Sequence, residues 1–180
     1  MKKTYKITIS GLERELPLCP VNEKLDIAAL IMFGDVELTK AVAKDLLNKC
    51  PDFDIIITAE AKGIPLCYEM ARQSEKPYVV ARKSTKVYMT NSIKASVKSI
   101  TTQTEQIVYL GETEVEMLKG KKVLIVDDVI STGDSLRAIE ELVIKAKGHI
   151  EARACVLAEG VAIERKDIIS LGDLPLFFKY

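Results

Sequence analysis

Between residues 35 and 160 the spacing of apolar positions changes repeatedly, and each change marks an element. In DVELTKAVAKDLLNKC, residues 35–50, Val36, Leu38, Val42, Leu46 and Leu47 recur near helical spacing, and Pro51 stops the helix. FDIIIT (53–58) is a short apolar run that predicts a buried strand. IPLCYEMARQS (64–74) predicts a second helix, with Pro65 tolerated in its first turn, and KPYVVARK (76–83) a second buried strand. SIKASVKSI (92–100) and EQIVYL (105–110) alternate apolar and polar residues, which predicts a strand pair joined by the polar TTQT (101–104), a hairpin with a mobile tip. KVLIVDDV (122–129) reads as another buried strand, SLRAIEELVIKAKG (135–148) as an amphipathic helix closed by Gly148, and HIEARACVLAEG (149–160) as a further strand. Strands without alternation, separated by helices, predict an α/β fold with a mainly parallel sheet flanked by helices. One domain over residues 1–180 is expected, with residues 1 to about 35 and 168–180 forming a small appended layer.

Composition narrows the function. The chain has 180 residues, 48% of them apolar, enough for one full core. Its 26 Lys and Arg balance 26 Asp and Glu, so no overall basic field draws it to nucleic acid or an anionic membrane, and any anion site has to be local. The start, MKKTYKITISGLEREL, lacks an apolar segment of signal-peptide length, and no run approaches the roughly 20 apolar residues of a membrane span. A cytoplasmic protein is expected. Cys19, Cys50, Cys67 and Cys155 form no CxxC and read as free thiols. The one histidine, His149, falls between a helix and a strand and reads as structural, which sets aside histidine-based acid–base chemistry.

The stretch VLIVDDVISTGDSL (123–136) carries the candidate chemistry. In open parallel sheets ligands sit beyond the carboxyl ends of the strands, where Asp127 and Asp128 fall. Ser131, Thr132, Gly133, Asp134 and Ser135 then lead into a helix N-terminus, whose free N–H groups and positive dipole end favour an anion such as phosphate. The turn has neither the GxxxxGK[ST] pattern nor GxGxxG, which disfavours a P-loop or a dinucleotide fold. A carboxylate pair can accept hydrogen bonds from two vicinal hydroxyls, so acids beside a phosphate cradle describe a ribose 5-phosphate site. Taken singly, Asp127 could be a strand-end acid and Asp134 a first-turn acid favoured by the dipole; the combination points to a ligand.

Residues 123–135 match, position by position, the 5-phosphoribosyl 1-pyrophosphate (PRPP) motif of type I phosphoribosyltransferases, and the chain is identified on them as resembling that family's purine branch. The resemblance extends to TAEAKGIPL (58–66), similar to the pyrophosphate loop of adenine and xanthine members, and to VVARKS (79–84) and SITTQTEQ (99–106), similar to their basic strand and flexible loop. It implies the type I fold with a small hood built from the N- and C-terminal segments, a cis peptide between Glu60 and Ala61, Asp127 and Asp128 on the ribose, and residues 131–135 on the 5′-phosphate. It also implies pyrophosphate held by Glu60, Ala61, Lys62, Arg82, Lys83 and Lys86, with Arg82 and the loop acid Glu105 as catalytic candidates. Mg²⁺ would arrive with PRPP without a direct protein metal site, and a homodimer is expected. Lys62 stands where adenine enzymes carry Arg, keeping the charge and losing the bidentate fork.

The base is read from IMFGDVELTK (31–40), which resembles the adenine enzymes' base-binding segment and would set Met32 and Phe33 against the base, with Gly34 replacing their Arg. Adenine is the first expectation and xanthine or another 6-oxopurine the alternative; the closing LPLFFKY also resembles adenine enzymes, although Phe33, Phe177 and Phe178 suit a core or an interface equally. Purine-sensing regulators that use the same domain as a non-catalytic PRPP module form a second class. They add a DNA-binding domain ahead of it, and a winged helix takes about 70 residues. The short leading segment and neutral charge make an enzyme the expectation.

Overall fold

The structure, a computed structural model, describes residues 3–98 and 105–179. Its centre is a five-stranded sheet in which every pairing is parallel: β4 (Ile55–Ala59), β5 (Tyr78–Ala81), β8 (Lys122–Ile130), β9 (His149–Glu159) and β10 (Ile169–Leu174), in the order β10-β9-β8-β4-β5. The continuous apolar runs are explained by burial on both faces. Ile56, Leu124, Val126, Ala154 and Val156 pack into one hydrophobic cluster, and their neighbours Ile55, Ile57, Val123, Ile125 and Cys155 into another on the opposite face. Helices α1 (Val36–Lys49) and α2 (Ile64–Ser74) supply the first cluster; α4 (Asp134–Lys145) and the hairpin of β6 (Ile93–Lys98) and β7 (Glu105–Leu110) supply the second. No helix among the described residues is long and apolar enough to cross a membrane.

The chain ends build the hood. β1 (Thr4–Ile9), β2 (Leu12–Asn22) and β3 (Leu25–Ala28) form an antiparallel meander, and β11 (Leu176–Phe178) pairs with β3. Ser10 and Gly11, at φ 50° and 78°, make the two-residue turn whose twist suits a tight hairpin. Of the closing residues only β11 joins this layer, because Pro175 separates it from β10, which extends the central sheet. The Tyr5 and Phe177 rings meet edge to face at 5.1 Å, and Arg14 on β2 grips Asp35, the N-cap of α1, at 2.6 Å.

Two local features differ from the pattern reading. Helix α3 (Glu112–Leu118) is too short for its apolar spacing to stand out, with Leu118 its one buried residue. At the end of α4 it is Lys147, not Gly148, that takes the left-handed conformation, φ 58°. The Gly148 N–H bonds to Val143 O and the Lys147 N–H to Ile144 O, a Schellman closure. Gly148 is needed for space, since a Cβ there would lie 3.0 Å from Leu118 O and 3.1 Å from the methyls of Val123 and Val143.

Glu69 on α2 is buried and accepts from Arg72 and Gln73, and the Arg72 hydrogen bond brings its carboxyl down to about 2. A depressed carboxyl stabilises the fold above its unfolded pKa and loses that contribution as pH falls through the folded value. Glu69→Gln is therefore expected to cost roughly 1 kcal/mol near neutral pH and almost nothing near pH 2, as read by urea unfolding of both proteins. An equal loss at both pH values would show that packing, not charge, holds Glu69.

Candidate functional site

The chain leaves β4 toward β5 on one side and returns through β8 to β9 and β10 on the other, so the strand order reverses between β4 and β8. β4 and β8 pair only as far as Ile57 and Ile125, whereas β8 stays on β9 as far as Ile130 and Ala158. The last part of β8 is thus open on its β4 side. Asp127 and Asp128 lie within this open stretch and belong to the strand, four apolar residues after its start at Lys122.

Asp128 is 3% exposed, and its Oδ2 pairs with Lys62 Nζ at 2.6 Å. Asp127 Oδ1 accepts the Asp128 backbone N–H at 2.9 Å. Burial, and then the neighbouring Asp128 charge, push the Asp127 carboxyl well above the usual carboxylate range. A buried acid beside a second, partly exposed one is costly, an arrangement more typical of a binding or catalytic position than of a packed core.

Residues 60–63 cross the mouth of the gap between β4 and β8. The Glu60–Ala61 peptide is cis. Glu60 donates its N–H to Ala81 O, accepts the Lys83 N–H on Oε2 at 2.9 Å, and lies 3.5 Å from Arg82. Arg82 also donates to the Tyr88 hydroxyl, and its backbone bridges to Tyr109 of β7. Gly63, the N-cap of α2, has an ordinary φ of −72° and is glycine for want of space: a Cβ would fall 2.2 Å from Thr58 Oγ1 and 3.0 Å from Asp127 Oδ1. The Thr58 hydroxyl is buried and has no hydrogen-bond partner among the described residues. Glu60, Ala61, Lys62, Lys83, Asp127 and Asp128 together line a cavity of about 300 Å³.

A second cavity of about 130 Å³ adjoins it, sharing Asp127, Val129 and Ser135, and is lined by the whole turn from Ser131 to Ser135. Gly133, at φ 80°, admits the left-handed backbone that starts α4. Thr132 is exposed and donates its hydroxyl to Asp134 Oδ2 at 2.8 Å, and Arg137 holds the other oxygen of the buried Asp134. Ser131 hydrogen-bonds the carboxylate of Glu159, the buried last residue of β9; burial pushes that carboxyl up, and Ser131 opposes the shift.

The remaining expected site residues are placed apart. Lys86 is exposed and donates to Ser84. Met32 is a core residue, 1% exposed, against a separate dent lined with Val36 and Tyr68, and Phe33 is exposed. Glu105 opens β7 opposite Lys98, and the hairpin tip expected to be mobile, 99–104, lies outside the described residues. His149 is exposed at the start of β9, at the amino end of the sheet. Thr58 and Glu159 were not singled out by motif. Glu159 carried a signal all the same, as an acid ending an apolar strand.

A family model described as phosphoribosyl transferase domain matches residues 36–170. The chain is 35% identical over 158 residues to a hypoxanthine/guanine phosphoribosyltransferase of Methanothermococcus okinawensis, covering 83% of this chain and 82% of the relative. It is 34% identical over 111 residues to an adenine phosphoribosyltransferase of Petrotoga mobilis, covering 58% of each. In fold it is similar to the crystal structure of adenine phosphoribosyltransferase from Thermoanaerobacter pseudethanolicus, with a TM-score of 0.71 and 20% identity over 88% of this chain and 95% of that one. With a matching model over three quarters of its length and a relative above 30% identity covered over four fifths of both chains, the chain belongs to the phosphoribosyl transferase domain family.

Proposed function

We propose that this phosphoribosyltransferase joins a free purine base to PRPP, forming a purine nucleoside 5′-monophosphate and releasing pyrophosphate. The observation that carries the reading is the pair of adjoining cavities, in which the acid pair on the open edge of β8 stands between the 131–135 turn and the cations beside the cis peptide. In this reading Asp127 and Asp128 accept from the ribose hydroxyls and the turn takes the 5′-phosphate on its N–H groups. Lys62 and Lys83 face the leaving pyrophosphate, with Arg82 behind them on Glu60, and Ala61 brings backbone close. Lys86 and Glu105 are further candidates, reaching the site only if their segments close over it.

Bond breaking at the anomeric carbon leaves positive charge on the ribose ring and negative charge on pyrophosphate. The carboxylates face the first and the lysines the second, so catalysis is chiefly electrostatic and positional. Asp128 has acceptor sites to spare, so it can keep Lys62 on Oδ2 and still accept a ribose hydroxyl, which would hold Lys62 between the ribose and the pyrophosphate. Mg²⁺ suits a site that offers one or two carboxylates and substrate phosphates, and Asp127 and Asp128 are such a pair; bound with PRPP it would add charge at the leaving group. Among the described residues there is no group of three or more His, Cys, Asp or Glu able to hold a metal alone.

For the base, the longer match favours hypoxanthine or guanine, and adenine is the second reading, carried by the Petrotoga relative and by the IMFGD segment. Incubation with PRPP, Mg²⁺ and each of hypoxanthine, guanine, xanthine and adenine, followed by chromatography, is expected to yield one nucleoside monophosphate well above the rest. Turnover of none of the four would leave a PRPP-binding module in place of an enzyme.

A further inference from the structure

The turn Ser131–Ser135 offers hydroxyls and N–H groups but no cation of its own, and it includes a buried carboxylate, Asp134. A phosphate dianion seated there would face that carboxylate at close range unless positive charge came from outside the turn. Arg137 is engaged with Asp134. The connection that follows β9 brings a second guanidinium. A Cβ on Gly133 would lie 2.9 Å from Nη1 of Arg165, so this nitrogen stands directly against the turn.

The rest of that guanidinium is fixed. Arg165 Nε donates to Asp167 Oδ1 at 3.0 Å and Nη2 to Asp167 Oδ2 at 2.7 Å, a bidentate clamp. Asp167 also lies 3.7 Å from Arg153, which in turn pairs with Glu140 on α4. Nη1 alone has no hydrogen-bond partner among the described residues. The side chain is 30% exposed, which limits screening by solvent. The fork thus spends one edge on its anchor and presents the remaining nitrogen to Gly133.

We infer that Arg165 supplies the positive charge of the 5′-phosphate subsite, as a positioning residue clamped by Asp167 and acting across the Gly133 backbone. The inference rests on the PRPP reading of the turn, and its tests separate the two. Calorimetry should be run with Mg²⁺–PRPP and with pyrophosphate alone, on wild type, Arg165→Gln, Arg165→Lys and Asp167→Asn. The expected result is that Arg165→Gln weakens PRPP about tenfold and leaves pyrophosphate unchanged, because the lysines at the far end of the cavity are untouched. In turnover KM for PRPP should rise with kcat nearly constant, and the deficit should shrink as salt is added. Arg165→Lys should recover part of the affinity, since charge and not shape is the contribution, and Asp167→Asn should give an intermediate loss by freeing the fork. PRPP affinity within twofold of wild type in Arg165→Gln, or no recovery in Arg165→Lys, overturns the inference while leaving the PRPP site standing. If Arg165→Gln does not fold, unchanged PRPP affinity in Asp167→Asn overturns it. Wild type that binds neither ligand removes the PRPP reading itself.

Discussion

Asp127→Asn combined with Asp128→Asn is expected to abolish measurable turnover and weaken PRPP by a factor of 100 or more, while the unliganded protein melts no earlier than wild type. The affinity loss follows from two charge-assisted hydrogen bonds to ribose at roughly 1.5 to 3 kcal/mol each. The retained stability follows from the unliganded geometry. Asp128 is 3% exposed beside a second carboxylate whose proton affinity is raised by burial and then by that closeness, so neutral amides of the same shape relieve both the desolvation cost and the repulsion. Lys62 loses its partner, but its side chain is 51% exposed and regains water. Such a site holds an arrangement that binding, and not folding, rewards. Calorimetry with PRPP and a thermal melt of the apo protein measure the two halves. Unchanged PRPP affinity would remove the ribose role, and a melt several degrees lower would make the pair structural.

Gly63→Ala is expected to destabilise the protein by about 1 to 3 kcal/mol and to weaken PRPP as well, although it adds a single methyl at an ordinary helix start. The added Cβ would lie 2.2 Å from Thr58 Oγ1 and 3.0 Å from Asp127 Oδ1, so it presses on a wholly buried side chain and on the acid pair together. The Thr58 hydroxyl has no hydrogen-bond partner among the described residues to lose, so removing it frees space at little polar cost. Thr58→Ala should therefore rescue part of the Gly63→Ala loss, with a coupling of about 1 kcal/mol or more between the two sites. Urea unfolding of both single variants and the double variant completes the cycle. Additive losses would mean that the loop 60–63 relaxes away from β4 and that the close approach is not what selects glycine.

The central sheet was legible because its code is local. Apolar runs without alternation can be buried only between two layers, and Ile55, Ile56 and Ile57 do divide between the two faces. The motif from Val123 to Ser135 was legible for a similar reason: a strand, two acids, a small polar turn and a helix start are consecutive, so their spacing in sequence is also their spacing in space. The hood strands carried less signal. Their alternation is half-buried and depends on β11, which comes from the other end of the chain to complete the layer.

Tertiary structure alone decided what faces the motif. Lys62 on Asp128, Asp127 under Gly63, Glu159 on Ser131 and Arg165 over Gly133 join residues from different strand ends, and no periodicity within any one segment specifies those meetings. They follow from the place where strand order reverses, which parts β8 from β4 beyond Ile125 and opens a gap for the loops above. It also decided which glycine does what at the end of α4. The left-handed turn falls on Lys147, and a Cβ at Gly148 would meet Leu118 at the end of α3, Val123 on β8 and Val143 on α4, so the glycine is kept by close packing and not by its own backbone angle.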